Sequence, residues 1–362
     1  MPILLRPLWQ MMVVRGMKRL TRPPAIWPAL KGGKVMNIEF HYFITFILSR
    51  KAGFTAEDAY TIAYSSQYTD DNNYKYYVNF KDGSHYINEI SQTLDITKPS
   101  ETRRKIYPLF HFIPGGQQAE DTCTLECGKE KCFATVPNSE TAQEILKEAL
   151  DSKDLYRIGV AVHAYADTWS HQNFLGYKCK ANARRGLGIM PNIGHADFFH
   201  EPDEIHNEWI DSRLGRDFRV NNDDRFLDAA KHIFIQLYRF KNPTANDAQA
   251  RAKYEDLGLE GQLKDAMDES YLFGRDEKAR VKAYKKICNE LGLKKYQYHP
   301  NAWRYEAIKK HPLETDLFDR YWAKETFPES DWFRFQEAVE DYRDYALNLL
   351  KPIYQQAGIG WL

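Results

Sequence analysis

Apolar positions recur at helical spacing from residue 37 to residue 70. They run through IEFHYFITFILSRKAGF to Gly53, a stop signal. Thr55 then opens TAEDAYTIAYSSQYTDD, with Glu57 and Asp58 in the first turn, where the helix dipole favours acids. YKYYVNF and SHYINEI are aromatic or β-branched runs joined by Lys81-Asp82-Gly83, which predicts a small hairpin. Residues 96–140 carry KPS, YPLFHFIPGG, a cysteine group and VPN, and read as loops. Residues 140–174 are strongly helical, and 177–202 form a loop rich in Gly, Pro and Asn. From 203 to 350 the pattern predicts helix after helix, with breaks at Gly215, Pro243, Gly258, Gly274, Pro300 and Pro312. The expected class is mainly α, a multi-helix bundle with one small hairpin.

Composition narrows the function classes. The chain has 362 residues, 43% hydrophobic and 14% aromatic, enough for a sizeable core and too apolar for disorder. Fifty Lys and Arg balance fifty Asp and Glu, so no global field draws the chain to nucleic acid or an anionic membrane. A mean hydropathy of −0.62, with no run of about 18 apolar residues, excludes a transmembrane helix. Two segments depart from the balance. Residues 1–35 hold seven basic residues and no acid, with Pro23-Pro24 and Gly32-Gly33, and the short apolar pieces MMVV and AIWPAL do not build a signal peptide. They are expected to be a basic, disordered or non-native extension, with Met36 opening the folded protein and a cytoplasmic setting. Residues 271–311 hold eleven Lys and Arg against four Asp and Glu, a solvated helical face or a surface for phosphate or lipid.

The candidate chemistry lies in RIGVAVHAYADTWSHQNF. His163, Asp167 and His171 stand at i, i+4 and i+8, drifting only about 40° per step, so all three share a helix face. Gly159 is on the same face, and its missing side chain leaves room beside them. His163 and Asp167 can hold one ion together, as i, i+4 histidine pairs hold zinc. His163 and His171 are about 12 Å apart along the axis, too far to share an ion, but a carboxylate midway can bridge two. The spacing therefore predicts a multinuclear site. GHADFFHEPDEIHNEW adds His195, Asp197, His200, Asp203 and His206. His195 and Asp203 are the expected ligands, then His200, with Asp197 and His206 behind them or at the surface. Upstream candidates are His41 on the first helix, Asp70 and Asp71 ending the second, and His111 in LFHFIPG; His85 in the hairpin reads as surface.

This set resembles the superfamily of bacterial zinc-dependent phospholipases C and fungal single-strand zinc nucleases. The resemblance is carried by His41, Asp70, HFIP at 111–114, HAYADTWSH at 163–171, and His195 with a carboxylate soon after, across residues 36–210. It implies an all-α bundle with two or three zinc ions in a cleft. By resemblance, Asp70, His111, His163 and Asp167 hold one ion. Asp167 bridges to a second, also held by His41 and the amine and carbonyl of Met36, five positions before His41. His171, His195 and Asp203 hold the third. The third histidine follows the aspartate more closely than in the relatives, and Phe199 stands where a second carboxylate is expected four residues after His195. The implied reaction is phosphodiester hydrolysis, with Asp70 orienting the attacking water. The substrate is a phospholipid, with contact to a membrane surface, or a single-stranded nucleic acid; Tyr68, Trp169 and Phe174 are candidates for base stacking.

Other enzyme classes lack their signatures. There is no adjacent His-Asp pair, no G-x-S-x-G and no P-loop. The rival is a helical zinc-binding scaffold or partner-binding protein without activity. The layout expected is an extension (1–35), a metal-binding helical core (36–210) and a helical C-terminal region packing on it (211–362). Cys123, Cys127 and Cys132, with Cys179 further on, lack the paired spacing of a zinc ribbon and stay open between a small zinc site, a disulfide and free thiols, while Cys288 reads as core.

Overall fold

A computed structural model describes residues 38–93, 105–125, 128–184, 193–215, 218–269, 277–295, 297–310 and 320–359; Met36, Cys127, Gly274 and Pro312 lie outside them. The chain enters on a π-helical turn, Glu39–Ile44, that runs into α1 (Thr45–Ala52) and stops at Gly53, whose φ of 107° suits glycine. Thr55 caps α2 (Ala56–Asp71) by accepting from the Asp58 amide at 3.1 Å. The expected hairpin is present as β1 (Tyr77–Asn79) and β2 (His85–Ile87). Short helices α3 (Tyr107–Phe110) and α4 (Gln117–Thr122) interrupt the loops before α5 (Glu140–Ser152) and α6 (Leu155–Ser170).

α6 is the axis of the fold. Every residue from Ile158 to Ser170 is buried, because α2, α5, α7 (Asn222–Lys241) and α12 (Asp331–Ala357) pack around it. A helix buried on all sides can only be central. Its closest neighbour is α2, and Gly159 is the reason. A Cβ there would lie 2.4 Å from Ser65 Cβ and 2.5 Å from the Ile62 carbonyl. Gly159 thus does not leave space beside the site, as its position on the helix face suggested; it lets two helices touch.

The helical reading of 203–350 holds for α7, α8 (Asp247–Asp256), α9 (Leu259–Met267), α10 (Glu277–Glu290), α11 (Ala302–Ala307) and most of α12. It fails at four strands. β3 (Glu208–Ile210) and β4 (Arg219–Asn221) form a hairpin, while β5 (Ile308–Lys310) and β6 (Arg320–Ala323) extend the first one into a sheet ordered β2-β1-β6-β5, with β1 and β6 parallel. Segments of three or four residues are too short for periodicity to separate strand from helix.

Val35–Leu362 forms one compact unit. Its main core joins both sides of residue 210: Phe40 meets Phe226, and the Tyr342 hydroxyl donates to the Leu109 carbonyl at 2.7 Å. The basic stretch 271–311 is not wholly a solvated face. Arg280 is buried and makes a two-pronged ion pair with buried Glu39, at 2.9 and 3.0 Å. Among the described residues no helix is long and apolar enough to cross a membrane.

Candidate metal centre

Four elements bring the inner group of predicted ligands together. His41 comes from the π-helical turn, Asp70 from the end of α2, His111 from the residue after α3, and His163 and Asp167 from α6. Asp167 is the hub. Its Oδ1 lies 3.3 Å from His41 Nε2, and its Oδ2 lies 3.0 Å from His111 Nδ1 and 3.3 Å from His163 Nε2. Asp70 closes the other side, with Oδ1 3.7 Å from both His111 Nδ1 and His163 Nε2 and Oδ2 4.0 Å from His41 Nε2. His163 Nε2 and His111 Nδ1 face each other at 3.1 Å.

A second group adjoins this inner one. His171 follows the last residue of α6, with Nε2 3.2 Å from Asp203 Oδ1, and His195 Nε2 is 3.1 Å from Asp203 Oδ2. The two rings stack at 4.9 Å, and Phe112 stacks on His171 at 4.2 Å. Gly194, at φ 52°, admits Phe112: a Cβ there would lie 2.5 Å from its ring. His171 Nδ1 is also 3.7 Å from Asp167 Oδ2, so this aspartate touches both groups.

Hydrogen bonds fix which nitrogen faces inward. A carbonyl only accepts, so a ring nitrogen bonded to one carries the proton. His111 Nε2 donates to Ser91 O at 3.0 Å, His171 Nδ1 to His111 O at 2.6 Å, and His195 Nδ1 to Phe199 O at 2.9 Å. Each of these rings therefore presents its other nitrogen, a lone pair when the ring is neutral, to a carboxylate about a hydrogen bond away. Acceptor then faces acceptor, which is repulsive unless a proton or a cation lies between. The remaining atoms repeat the message: both nitrogens of His41, Nδ1 of His163, Oδ2 of Asp70 and Oδ1 of Asp167 and Asp203 are buried with no hydrogen-bond partner. Leaving such groups bare costs about 1–3 kcal/mol each. Imidazole nitrogens and carboxylate oxygens, with carbonyls behind the imidazoles, form a donor set suited to zinc-like divalent cations. Among the described residues, three groups of ligand atoms in this centre, each within 4.8 Å, could hold an ion: His41, Asp70 and His163; His111, His163 and Asp167; His171, His195 and Asp203; a fourth, more exposed group of His206, Asp223 and Asp268 lies elsewhere.

Charge in the metal-free chain follows burial. Burial lowers the pKa of His41 and His163 and so keeps them neutral, as ligands must be. It raises the Asp70 carboxyl to about 7, since the nearby histidines offset it only in part. At Asp167 and Asp203 burial also opposes ionisation, but the surrounding imidazoles outweigh it and hold both carboxyls below the usual range. His195 is pushed the other way, its burial outweighed by Asp203, so it favours a proton when no cation is present.

Not every predicted residue belongs. His200 is exposed and joins none of the groups that could hold an ion. Asp197 is buried but serves Arg184, accepting from its amide at 3.2 Å. His206 lies apart with Asp223 and Asp268, at 3.0 and 3.7 Å. Asp71 accepts from the Tyr298 hydroxyl rather than facing inward. His85 is exposed and stacks on Tyr77 at 4.9 Å. Met36 lies outside the described residues. Cys123, Cys132, Cys179 and Cys288 are buried and join no metal-type group among the described residues, and Cys127 lies outside them.

Sequence reasoning missed the backing: the carbonyls of Ser91 and Phe199, and Gln92, which donates to Asp70 Oδ1 at 3.3 Å. Carbonyls leave no mark on residue identity. Phe199 adopts φ 52°, unusual for an aromatic residue, while its carbonyl meets His195.

The family of unknown function DUF6765 matches residues 36–350. The chain belongs to that family. No curated protein and no solved structure matches it.

Proposed function

We propose that this chain is a divalent-metal-dependent phosphodiester hydrolase, related to the zinc-dependent phospholipases C and single-strand zinc nucleases that its motifs resemble. One observation supports the metal reading: three imidazoles, each donating from its outer nitrogen to a backbone carbonyl, turn their other nitrogens onto Asp167 and Asp203. The hydrolase reading adds the resemblance to that geometry.

Bound divalent cations supply Lewis acidity toward phosphoryl oxygens and activate water near neutral pH. His41, His111, His163, Asp70 and Asp167 would hold the inner ion or ions, and His171, His195 and Asp203 the outer one. Asp70 is the residue assigned to water. Its Oδ2 is buried with no hydrogen-bond partner, so it is free to orient a water. Substrate would approach from the outer group, since the His195 side chain is 20% exposed while those of His41 and His163 are fully covered. Tyr68, Trp169 and Phe174 are all core residues and offer no base-stacking platform for a nucleic acid. Phe199, an exposed apolar residue whose carbonyl meets His195, suits a lipid substrate better.

Burial of the inner group favours one alternative, a metal-bound scaffold without turnover. Zinc analysis of the purified chain, with hydrolysis of bis-(p-nitrophenyl) phosphate before and after chelation, tests both. The hydrolase reading expects two or three zinc ions per chain and turnover that chelation abolishes and zinc restores. Metal without turnover leaves the scaffold; a chain that takes up no divalent metal refutes both.

A further inference from the structure

We propose that Arg225 is a positioning residue that sets the spacing of His171 and Asp203 and thereby the metal affinity of the outer group; this rests on the metal reading above. Arg225 lies near the N-terminal end of α7, where the helix dipole favours acids over cations. Its guanidinium explains the exception. Nη1 donates to the carbonyls of Trp169 and Ser170, at 2.8 and 3.1 Å, at the end of α6 immediately before His171. Nη2 donates to the carbonyl of Pro202 at 3.0 Å, immediately before Asp203. One rigid fork therefore joins the residues that precede the two ligands.

The anchor is itself held. Asn222, buried one turn earlier, accepts from Nη2 at 2.5 Å, and its own amide donates to the carbonyls of Glu201 and Glu204, both at 2.7 Å. These contacts fasten the segment carrying Asp203 to α7, and α7 packs on α6. Without the fork, nothing else among these contacts ties Pro202 to the carbonyls of Trp169 and Ser170. A lysine keeps the charge but, as a single ammonium, cannot reproduce a planar fork that spans two chain segments.

The test compares the full chain with Arg225→Gln and Arg225→Lys. Zinc titration by calorimetry reads the two groups, with His195→Ala identifying the outer step. Amide hydrogen exchange of the metal-free proteins reads local order. Both Arg225 variants should bind zinc at the inner group as wild type does and weaken the outer step at least about tenfold, the scale of losing a residue that orients ligands. Exchange should rise across residues 195–207 and stay unchanged across 158–166. Wild-type affinity at both steps would overturn the proposal, as would full recovery by lysine, which would make charge rather than bridging the cause. Faster exchange across 158–166, with both steps weakened together, would also overturn it, as general destabilisation. If exchange rises only locally but wild type takes up no zinc, the metal reading itself fails and Arg225 has no ligand spacing to set.

Discussion

Gly159→Ala isolates the helix contact on which the inner group depends. The added Cβ would sit 2.4 Å from Ser65 Cβ, where ordinary contact begins at 3.4 Å, so α2 and α6 must part by about 1 Å at this crossing. The Ile62 carbonyl, at 2.5 Å, is backbone and cannot turn aside as a flexible side chain could. Overpacking of this kind costs about 1–3 kcal/mol. For a unit of this size that lowers the melting temperature by roughly 2–6 °C. The displacement also reaches the ligands. Asp70 is five residues beyond Ser65 on α2, about 7.5 Å along the helix, and His163 is four residues beyond Gly159 on α6, about 6 Å. Their 3.7 Å separation should widen, and an error of about 0.5 Å is already enough to spoil a ligand site. Thermal denaturation with and without zinc, together with zinc competition against a chelator, reads both effects. Expected are a lower melting temperature without metal and at least about tenfold weaker inner binding, with outer binding retained. Unchanged stability and unchanged inner affinity would refute the claim that this glycine sets the distance between Asp70 and α6.

Gly261→Ala, in α9 with open space around the position, is the matched control and should stabilise by about 0.5–1 kcal/mol in urea unfolding; a loss would contradict the open setting. Arg280→Ala removes both prongs of the ion pair to buried Glu39, two residues before His41, and should cost about 3–5 kcal/mol by the same method, a loss below about 1 kcal/mol marking the pair as incidental. Burial raises Asp70 in the folded metal-free chain to about 7, above its unfolded value, so its contribution to stability is present at low pH and lost as pH rises toward 7. Zinc binding must displace that proton, so affinity should fall by about tenfold per pH unit below 7, measurable by calorimetry at pH 5.5 and 7.5; a flat profile would sink this account. His200→Ala should change zinc content by less than the error of metal analysis, since the side chain is exposed and joins neither group; loss of an ion would return it to the ligands.

The chain's own text contained the central helix, its candidate histidine and aspartate ligands, and most of the helical class. The i, i+4 spacing of His163 and Asp167 is a local property, and so is the capping of α2 by Thr55, because both depend on residues within a turn of each other. The hydrophobic pattern also marked α1, α2 and α6, whose runs are long enough for a period to emerge. Tertiary structure decided which upstream candidates meet α6. It chose His41, Asp70 and His111 over Asp71 and His85, and Asp203 over His200, because convergence of distant segments depends on packing that no single segment encodes. It reversed the reading of Gly159 and paired β1 with β6 across more than two hundred residues. It also supplied the carbonyls of Ser91, His111 and Phe199 that orient the imidazoles. Every residue has a backbone carbonyl, so only the path of the folded chain shows which ones a histidine will find.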